Sequence, residues 1–178
     1  MLLNIEKQHA SISNVNFRKE NHGKQHVLAA DVRFSMELPV SRLNDLAVDK
    51  PPMSFDEFFY DHKIEDNGDI EGGTISKKRE YGISSIALNI ELFEHEVSIQ
   101  SDGEHMPPVE FSQVKINSFS VDFQQNRMMK LSARLQFEMP NDDEIIGRLA
   151  EFIKAQVKMT IEPPAQQDAF DNQEPDEE

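Results

Sequence analysis

The densest set of groups able to do chemistry lies in one short stretch that holds Asp56, Glu57, Asp61, His62, Glu65, Asp66 and Asp69. Carboxylates with an imidazole are a donor set for a divalent cation in phosphodiester hydrolysis. Their spacing follows no metal motif, and Glu65-Asp-Asn-Gly-Asp-Ile-Glu-Gly-Gly73 lacks the regular ligand positions of a calcium loop, so the run reads as a solvated loop. His22 and His26 stand four apart, but Gly23 sets them around a turn, and no second pair of strong ligands is spaced to complete a tetrahedron. There is no Gly-x-Ser-x-Gly elbow, and Gly72-Gly73 lacks the Lys-Ser/Thr of a phosphate loop. The expectation is a non-enzymatic protein with no catalytic residue, no metal and no cofactor.

Basic residues are outnumbered but clustered. Arg18, Lys19 and Lys24 flank the first turn, Lys77, Lys78 and Arg79 stand just before Tyr81, and Lys130 and Arg134 share the outer face of a strand with Arg33 placed to come close. A groove of cations with an aromatic for stacking is how single-stranded nucleic acid is held without sequence preference. Arg18, Lys19, Lys77, Lys78, Arg79, Tyr81, Lys130 and Arg134 therefore form the candidate nucleic-acid site, the alternative being solubilising charges paired with nearby carboxylates. Phe55, Phe58, Phe59 and Tyr60 read as cover for one end of a sheet rather than as a partner-binding patch.

The elements that must carry these residues are mostly strands. From Val27 to Leu38 the residues Leu28, Ala30, Val32, Phe34, Met36 and Leu38 fall on one face. From Met128 to Met139 the same holds for Met129, Leu131, Ala133, Leu135, Phe137 and Met139. Each follows a shorter alternating run across a turn, Ile12 to Phe17 in one case and Phe119 to Phe123 in the other. Ile86 to Leu92 and Val97 to Ile99 alternate on either side of Phe93-Glu-His-Glu96, which reads as a turn. Val109, Phe111, Val114 and Ile116 make a strand whose phase slips near Gln113, as at a bulge. Val157, Met159 and Ile161 form the last strand.

Asn141 with Glu144 resembles a capping box, and Ile145, Leu149, Phe152 and Ile153 continue at helical spacing to about Ala155, with Gly147 as a weak point. Shorter helices are expected at Ser54 to Phe59 and at Ser41 to Val48, before Pro51-Pro52. The reading is a mainly β, α+β domain over residues 1–162, with about seven antiparallel strands as a β-sandwich or an OB-like, partly open barrel. Val32-Arg-Phe-Ser-Met-Glu-Leu-Pro39 matches Ala133-Arg-Leu-Gln-Phe-Glu-Met-Pro140 at a constant offset, each after a hairpin and before a helix, which raises the possibility of a duplicated hairpin–helix unit.

Twelve Phe and 38% hydrophobic residues in 178 suffice for one core. The lack of Cys fits a reducing compartment, and no apolar run is long enough for a membrane span or a signal peptide, so a cytoplasmic protein is expected. Net charge is −15, and six of those charges belong to residues 163–178, a segment expected to be a disordered acidic tail beyond Pro163-Pro164. Asp168, Phe170, Asp171, Glu174, Asp176, Glu177 and Glu178 offer a partner one aromatic set among carboxylates. A surface this acidic repels phosphate, so a nucleic-acid site has to be a local patch.

Phe17-Arg-Lys-Glu-Asn-His-Gly-Lys-Gln-His-Val-Leu-Ala-Ala-Asp-Val32 resembles the opening of a family of uncharacterised phage and prophage proteins, and Leu88-Asn-Ile-Glu-Leu92 and Val114-Lys-Ile-Asn-Ser-Phe119 are similar too. That resemblance spans most of residues 10–162. It implies a phage accessory protein, acting in the host cytoplasm and often associated with homologous-recombination genes, and it brings no catalytic residues. Two functions follow as expectations. One is a single-stranded DNA-binding or recombination accessory protein whose acidic tail recruits a DNA-processing partner. The other is an acidic mimic of nucleic acid that inhibits a basic host defence or nuclease complex.

Overall fold

A computed structural model describes residues 3–22, 25–46, 61–64, 70–74, 85–102, 106–140 and 142–164. The chain is mainly β, as its alternation requires, with seven antiparallel strands in one sheet and a single α-helix among the described residues. The sheet holds β1 (Ile5–His22), β2 (Gln25–Pro39), β5 (Ile86–Leu88), β6 (Leu92–Ser101), β7 (Val109–Phe123), β8 (Met128–Glu138) and β9 (Gln156–Glu162), while β3 (Asp61–Ile64) and β4 (Ile70–Thr74) pair only with each other. Strand order is β5-β7-β6-β9-β1-β2-β8, and a further β7–β8 pairing joins the two sides of the sheet. Six strands thus form a ring, β1-β2-β8-β7-β6-β9, in which every neighbour is antiparallel. Within it β6, β7 and β8 follow one another and β9 returns to lie beside β6, a Greek-key order. Closure removes most of the unpaired edges that would otherwise template aggregation.

The ring maps onto itself when β1 is exchanged with β7, β2 with β8 and β6 with β9. The two segments matched by sequence, in β2 and β8, lie side by side, and their matched residues Arg33 and Arg134 are opposite each other. On the far wall Ser98 is opposite Thr160, within the similar runs Val97-Ser-Ile-Gln100 and Met159-Thr-Ile-Glu162. A pseudo-twofold axis therefore passes through both walls. It also exchanges the helices. A 3₁₀ helix, Val40–Leu46, leaves the Pro39 end of β2, where Val40 N–H donates to the carbonyl of Arg127 at 2.9 Å and Arg42 reaches the carbonyl of Asn4. Helix α1, Asp143–Glu151, leaves the other end of the same strand pair, where Arg148 reaches the carbonyl of Pro107 and Lys154 N–H donates to the carbonyl of Ile12 at 2.7 Å.

The inward faces hold the residues that alternation selects. Val32, Phe34, Met36, Ile99, Ile116, Phe119, Val121, Leu131, Leu135, Val157, Met159 and Ile161 are buried, joined from the ends by Val40, Leu43 and Leu46 of the 3₁₀ helix and by Leu149 and Phe152. Burying each such side chain is worth about 1.5–3 kcal/mol. His95 and Asn117 are the buried polar residues among those described.

Three local readings change. Phe93–Glu96 is not a turn between paired strands. It lies inside β6, and β5 and β6 both pair with the same side of β7. Glu94, at φ 58°, opens a bulge that absorbs the phase slip without reversing the chain. Gln113, at φ 55°, is a bulge as its sequence phase indicates, and Ser118, also at φ 55°, is a second one that keeps Val109–Phe123 a single strand. The helix starts from Asp142, whose carboxylate accepts from the Glu144 N–H at 2.9 Å, and it ends at Glu151 short of Ala155 because Lys154, at φ 64°, redirects the chain into β9. The helix expected from Ser41 to Val48 is the 3₁₀ helix Val40–Leu46 as far as it is described, residues 47 and 48 lying outside the described residues. Ser54 to Phe59 and the tail 165–178 lie outside the described residues.

Candidate nucleic-acid interface on the β1-β2-β8-β7 wall

Because inward positions go to apolar residues, the outward positions of β1, β2, β8 and β7 are free to be polar, and register sets them in rungs across the wall. One rung reads Asn14, Arg33, Arg134, Asn117. It is palindromic about the pseudo-twofold axis. A second reads Ser11, Ser35, Ser132, Ser120, four hydroxyls in line across four strands. A groove of about 350 Å³ beside it is lined by Ser11, Ser35, His9, Glu37, Lys130 and Gln156, among others.

On the other side of the arginine rung the polar groups are tied together. Arg18 pairs with Glu20 at 2.7 Å and with Asp31. Gln136 donates to Asp31 at 2.8 Å and accepts from Asn117 at 2.5 Å, while Arg134 Nε donates to the Asn117 carbonyl at 2.9 Å. Desolvation works to raise the Asp31 carboxyl, but the hydrogen bonds from Arg18 and Gln136, with the Arg18 and Arg134 charges, hold it below the usual carboxylate range. The Arg18 guanidinium is raised in turn, chiefly by its bond to Asp31. Asn117 is the hub that sequence reasoning missed. The signal was a phase slip, the inward residues Ile116 and Phe119 being three apart with Asn117 and Ser118 between them, which the bulge at Ser118 absorbs.

Of the residues expected to form the site, the structure brings Arg18, Lys130 and Arg134 onto this wall and adds Arg33. Arg18 is neutralised there. Lys130 sits between Glu37 and Asp122 in register. Lys19 follows the opposite parity from Arg18 at the tip of the β1–β2 hairpin, and it does not join the rung. Lys77, Lys78, Arg79 and Tyr81 lie outside the described residues, as do Asp168, Phe170, Asp171, Glu174, Asp176, Glu177 and Glu178. No carboxylate pairs with Arg33 or Arg134 among the described residues. Lys115 pairs with Glu91 at 2.8 Å and lies over the Phe93 ring at 5.0 Å.

The far wall has the opposite character. Glu96 is opposite Glu162, Glu110 is opposite Ser98, and all three carboxylates border a trough of about 330 Å³ with Ser98, Ser112 and Thr160. Among the described residues no group of three or more His, Cys, Asp or Glu is arranged to hold a metal ion, and no helix is long and apolar enough to cross a membrane. The one buried imidazole among the described residues, His95, sits in the β6 bulge. Its Nδ1–H donates to the Phe93 carbonyl at 2.8 Å, and its Nε2 has no partner.

No family model matches the chain, and no curated protein or solved structure matches it.

Proposed function

We propose that this protein is a non-enzymatic binding module that holds the phosphate backbone of single-stranded DNA across the outer face of β1, β2, β8 and β7, as an accessory to recombination or related DNA processing in the cytoplasm of a phage-infected cell. The observation that supports it is the arginine rung. Two guanidiniums on neighbouring strands repel one another at a cost of about 0.2–1 kcal/mol, and among the described residues no carboxylate pairs directly with either, the nearby Asp31 being bound to Arg18, whereas a phosphate between them would bridge both. The serine rung beside them adds hydroxyl donors and no negative charge.

Net charge argues against polyanion binding, but distance weakens that objection. At physiological salt the Debye length is about 8 Å, so carboxylates on the far side of a six-stranded ring are largely screened from this wall. In fold terms the reading is a small closed barrel, OB-like in its use of an outer wall, assembled from two copies of a hairpin–helix–strand unit. Residues 163–178 supply the acidic tail that competes with DNA and recruits a DNA-processing partner. Lys77, Lys78, Arg79 and Tyr81 extend the surface.

Titration of a labelled single-stranded oligonucleotide at low and moderate salt tests the reading, using the full chain and a chain ending at Glu162. The full chain binds, removal of the tail tightens binding, affinity falls steeply with salt, and Arg33→Glu weakens it. No binding by either chain at low salt overturns the proposal.

A second reading is favoured by one observation, the direct opposition of Glu96 and Glu162 beside Glu110. In that reading the acidic wall mimics phosphates and occupies the channel of a basic host nucleic-acid enzyme. Such an enzyme would then be captured by the full chain and released by Glu96→Lys, with Arg33→Glu having no effect.

A further inference from the structure

The arginine pair is a small island of positive charge. Along β2 and β8 the outward rungs are about 6.7 Å apart, the length of two strand residues, and their charge changes from one to the next. On one side of Arg33 and Arg134 the next rung holds Asp31, whose partner Arg18 also serves Glu20, so one guanidinium faces two carboxylates there. On the other side comes the uncharged serine rung, and beyond it Lys130 stands between Glu37 and Asp122. Across the strands the two flanks differ as well. Asn117 is committed, its amide donating to Gln136 and its carbonyl accepting from Arg134 and Ser118, whereas Asn14 is exposed. Arg134 gives its Nε to Asn117, which fixes the guanidinium plane. Arg33 is exposed and gives its guanidinium to no side chain among the described residues.

The covalent repeat of an extended single strand sets its phosphates about one rung spacing apart. A phosphate inside a strand carries one negative charge and needs a way out on two opposite sides. Each straight line through the arginine pair is closed to it at one end, by the Asp31 carboxylate along the strands and by the committed Asn117 amide across them. A phosphate at the end of a strand needs a single way out. It carries about −1.5 to −2 near neutral pH, a match for two guanidiniums. We propose that the Arg33–Arg134 pair receives a terminal phosphomonoester of a single DNA strand, and that the strand leaves over the serine rung of Ser11, Ser35, Ser132 and Ser120 toward Lys130. The serine hydroxyls donate to the next phosphate along. This rests on the reading of the wall as a DNA-binding surface and adds which part of the strand it takes.

The test is competition for the full chain between single strands of one sequence that carry a 5′-phosphate, a 3′-phosphate, hydroxyls at both ends, or no end because they are circular. One phosphorylated strand binds about tenfold or more tighter than the hydroxyl-ended strand, and the circle gains nothing over the latter. That advantage falls severalfold between about pH 7.5 and about pH 5.5, as the phosphomonoester takes up a proton near about pH 6. Arg33→Gln leaves Arg134 and its bond to Asn117 in place, and it brings the phosphorylated strand down to the affinity of the hydroxyl-ended one. End recognition is overturned, with the DNA-binding reading left standing, if neither phosphorylated strand binds tighter, if the circle competes as well as the better of them, or if Arg33→Gln keeps the advantage. It is also overturned if inorganic phosphate competes as strongly as the phosphorylated strand, which marks a site for the free ion. Absence of binding by every strand at low salt overturns both readings.

Discussion

Arg33 stands directly opposite Arg134, and the two are also matched residues of the similar segments in β2 and β8. Any antiparallel pair has many local twofolds, and this one coincides with the one offset that aligns the two similar segments. Asn14 and Asn117 flank the pair symmetrically, and each half places one bulge beside that Asn, at Ser13 or at Ser118.

A like-charge pair with no carboxylate bound directly to it among the described residues should trade stability against binding. Arg33→Glu puts a carboxylate opposite Arg134 and is expected to stabilise the fold by about 0.5 kcal/mol, while weakening oligonucleotide binding about tenfold or more. Urea denaturation and fluorescence anisotropy on the same protein read the two effects. A loss of stability with no loss of binding would show that the rung is structural.

The symmetric asparagines should differ sharply in what they carry. Asn117 is buried and links Gln136, Arg134 and Ser118, so Asn117→Ala strands their polar groups and should cost about 1–3 kcal/mol. Asn14 is exposed, and Asn14→Ala should stay within about 0.5 kcal/mol. Equilibrium denaturation of the two variants compares them directly, and equal losses would contradict the hub assigned to Asn117.

His95 gives the fold a pH dependence whose sign follows from its burial. Burial lowers its imidazole below the ordinary histidine value, opposed in part by the bond to the Phe93 carbonyl, and the buried Nε2 has no hydrogen-bond partner among the described residues. The folded state therefore resists a proton that the unfolded state accepts. Its contribution is fully present above about pH 6.5 and is lost as pH falls from there toward the folded value, at a limiting slope of about 1.4 kcal/mol per pH unit. Asp31, depressed by Arg18 and Gln136, adds a separate loss only at and below the ordinary carboxylate range near pH 4. Denaturation midpoints from pH 7.5 to 5 should fall in the parent and flatten in His95→Phe.

How far the sequence could be read follows from which interactions are local. Alternation in Val27–Leu38 and Met128–Met139 located β2 and β8 because one face of each is buried, and the slip at Gln113 located its bulge. β1 runs from Ile5 to His22, but only Ile12 to Phe17 was visible, since Lys7 bulges out and the hairpin tip beyond Phe17 is polar. The Phe93–Glu96 bulge was mistaken for a turn because both interrupt alternation, and only pairing with β7 tells them apart. Basic residues could be found by type. Arg33 was expected close to Arg134, but their direct opposition and the neutralisation of Arg18 by Asp31 depend on cross-strand register that no short window contains.

Two backbone positions offer a last test, one that separates the fold's stability from its surface. An added Cβ at Gly147 in α1 meets nothing within 4 Å, so Gly147→Ala gains helix propensity without a clash and should stabilise by about 0.5–1 kcal/mol. Ser118 sits at φ 55°, where a side chain is strained, and Ser118→Gly should relieve about 1 kcal/mol, less whatever its hydroxyl contributes by donating to Asn117. Gly147 lies on the helix at one end of the ring, whereas Ser118 borders the arginine rung. Thermal denaturation should rise in both variants, and oligonucleotide affinity should change only in Ser118→Gly, through Asn117 and Arg134. A change of affinity in Gly147→Ala would move the binding surface from the β1-β2-β8-β7 wall to the end that α1 covers.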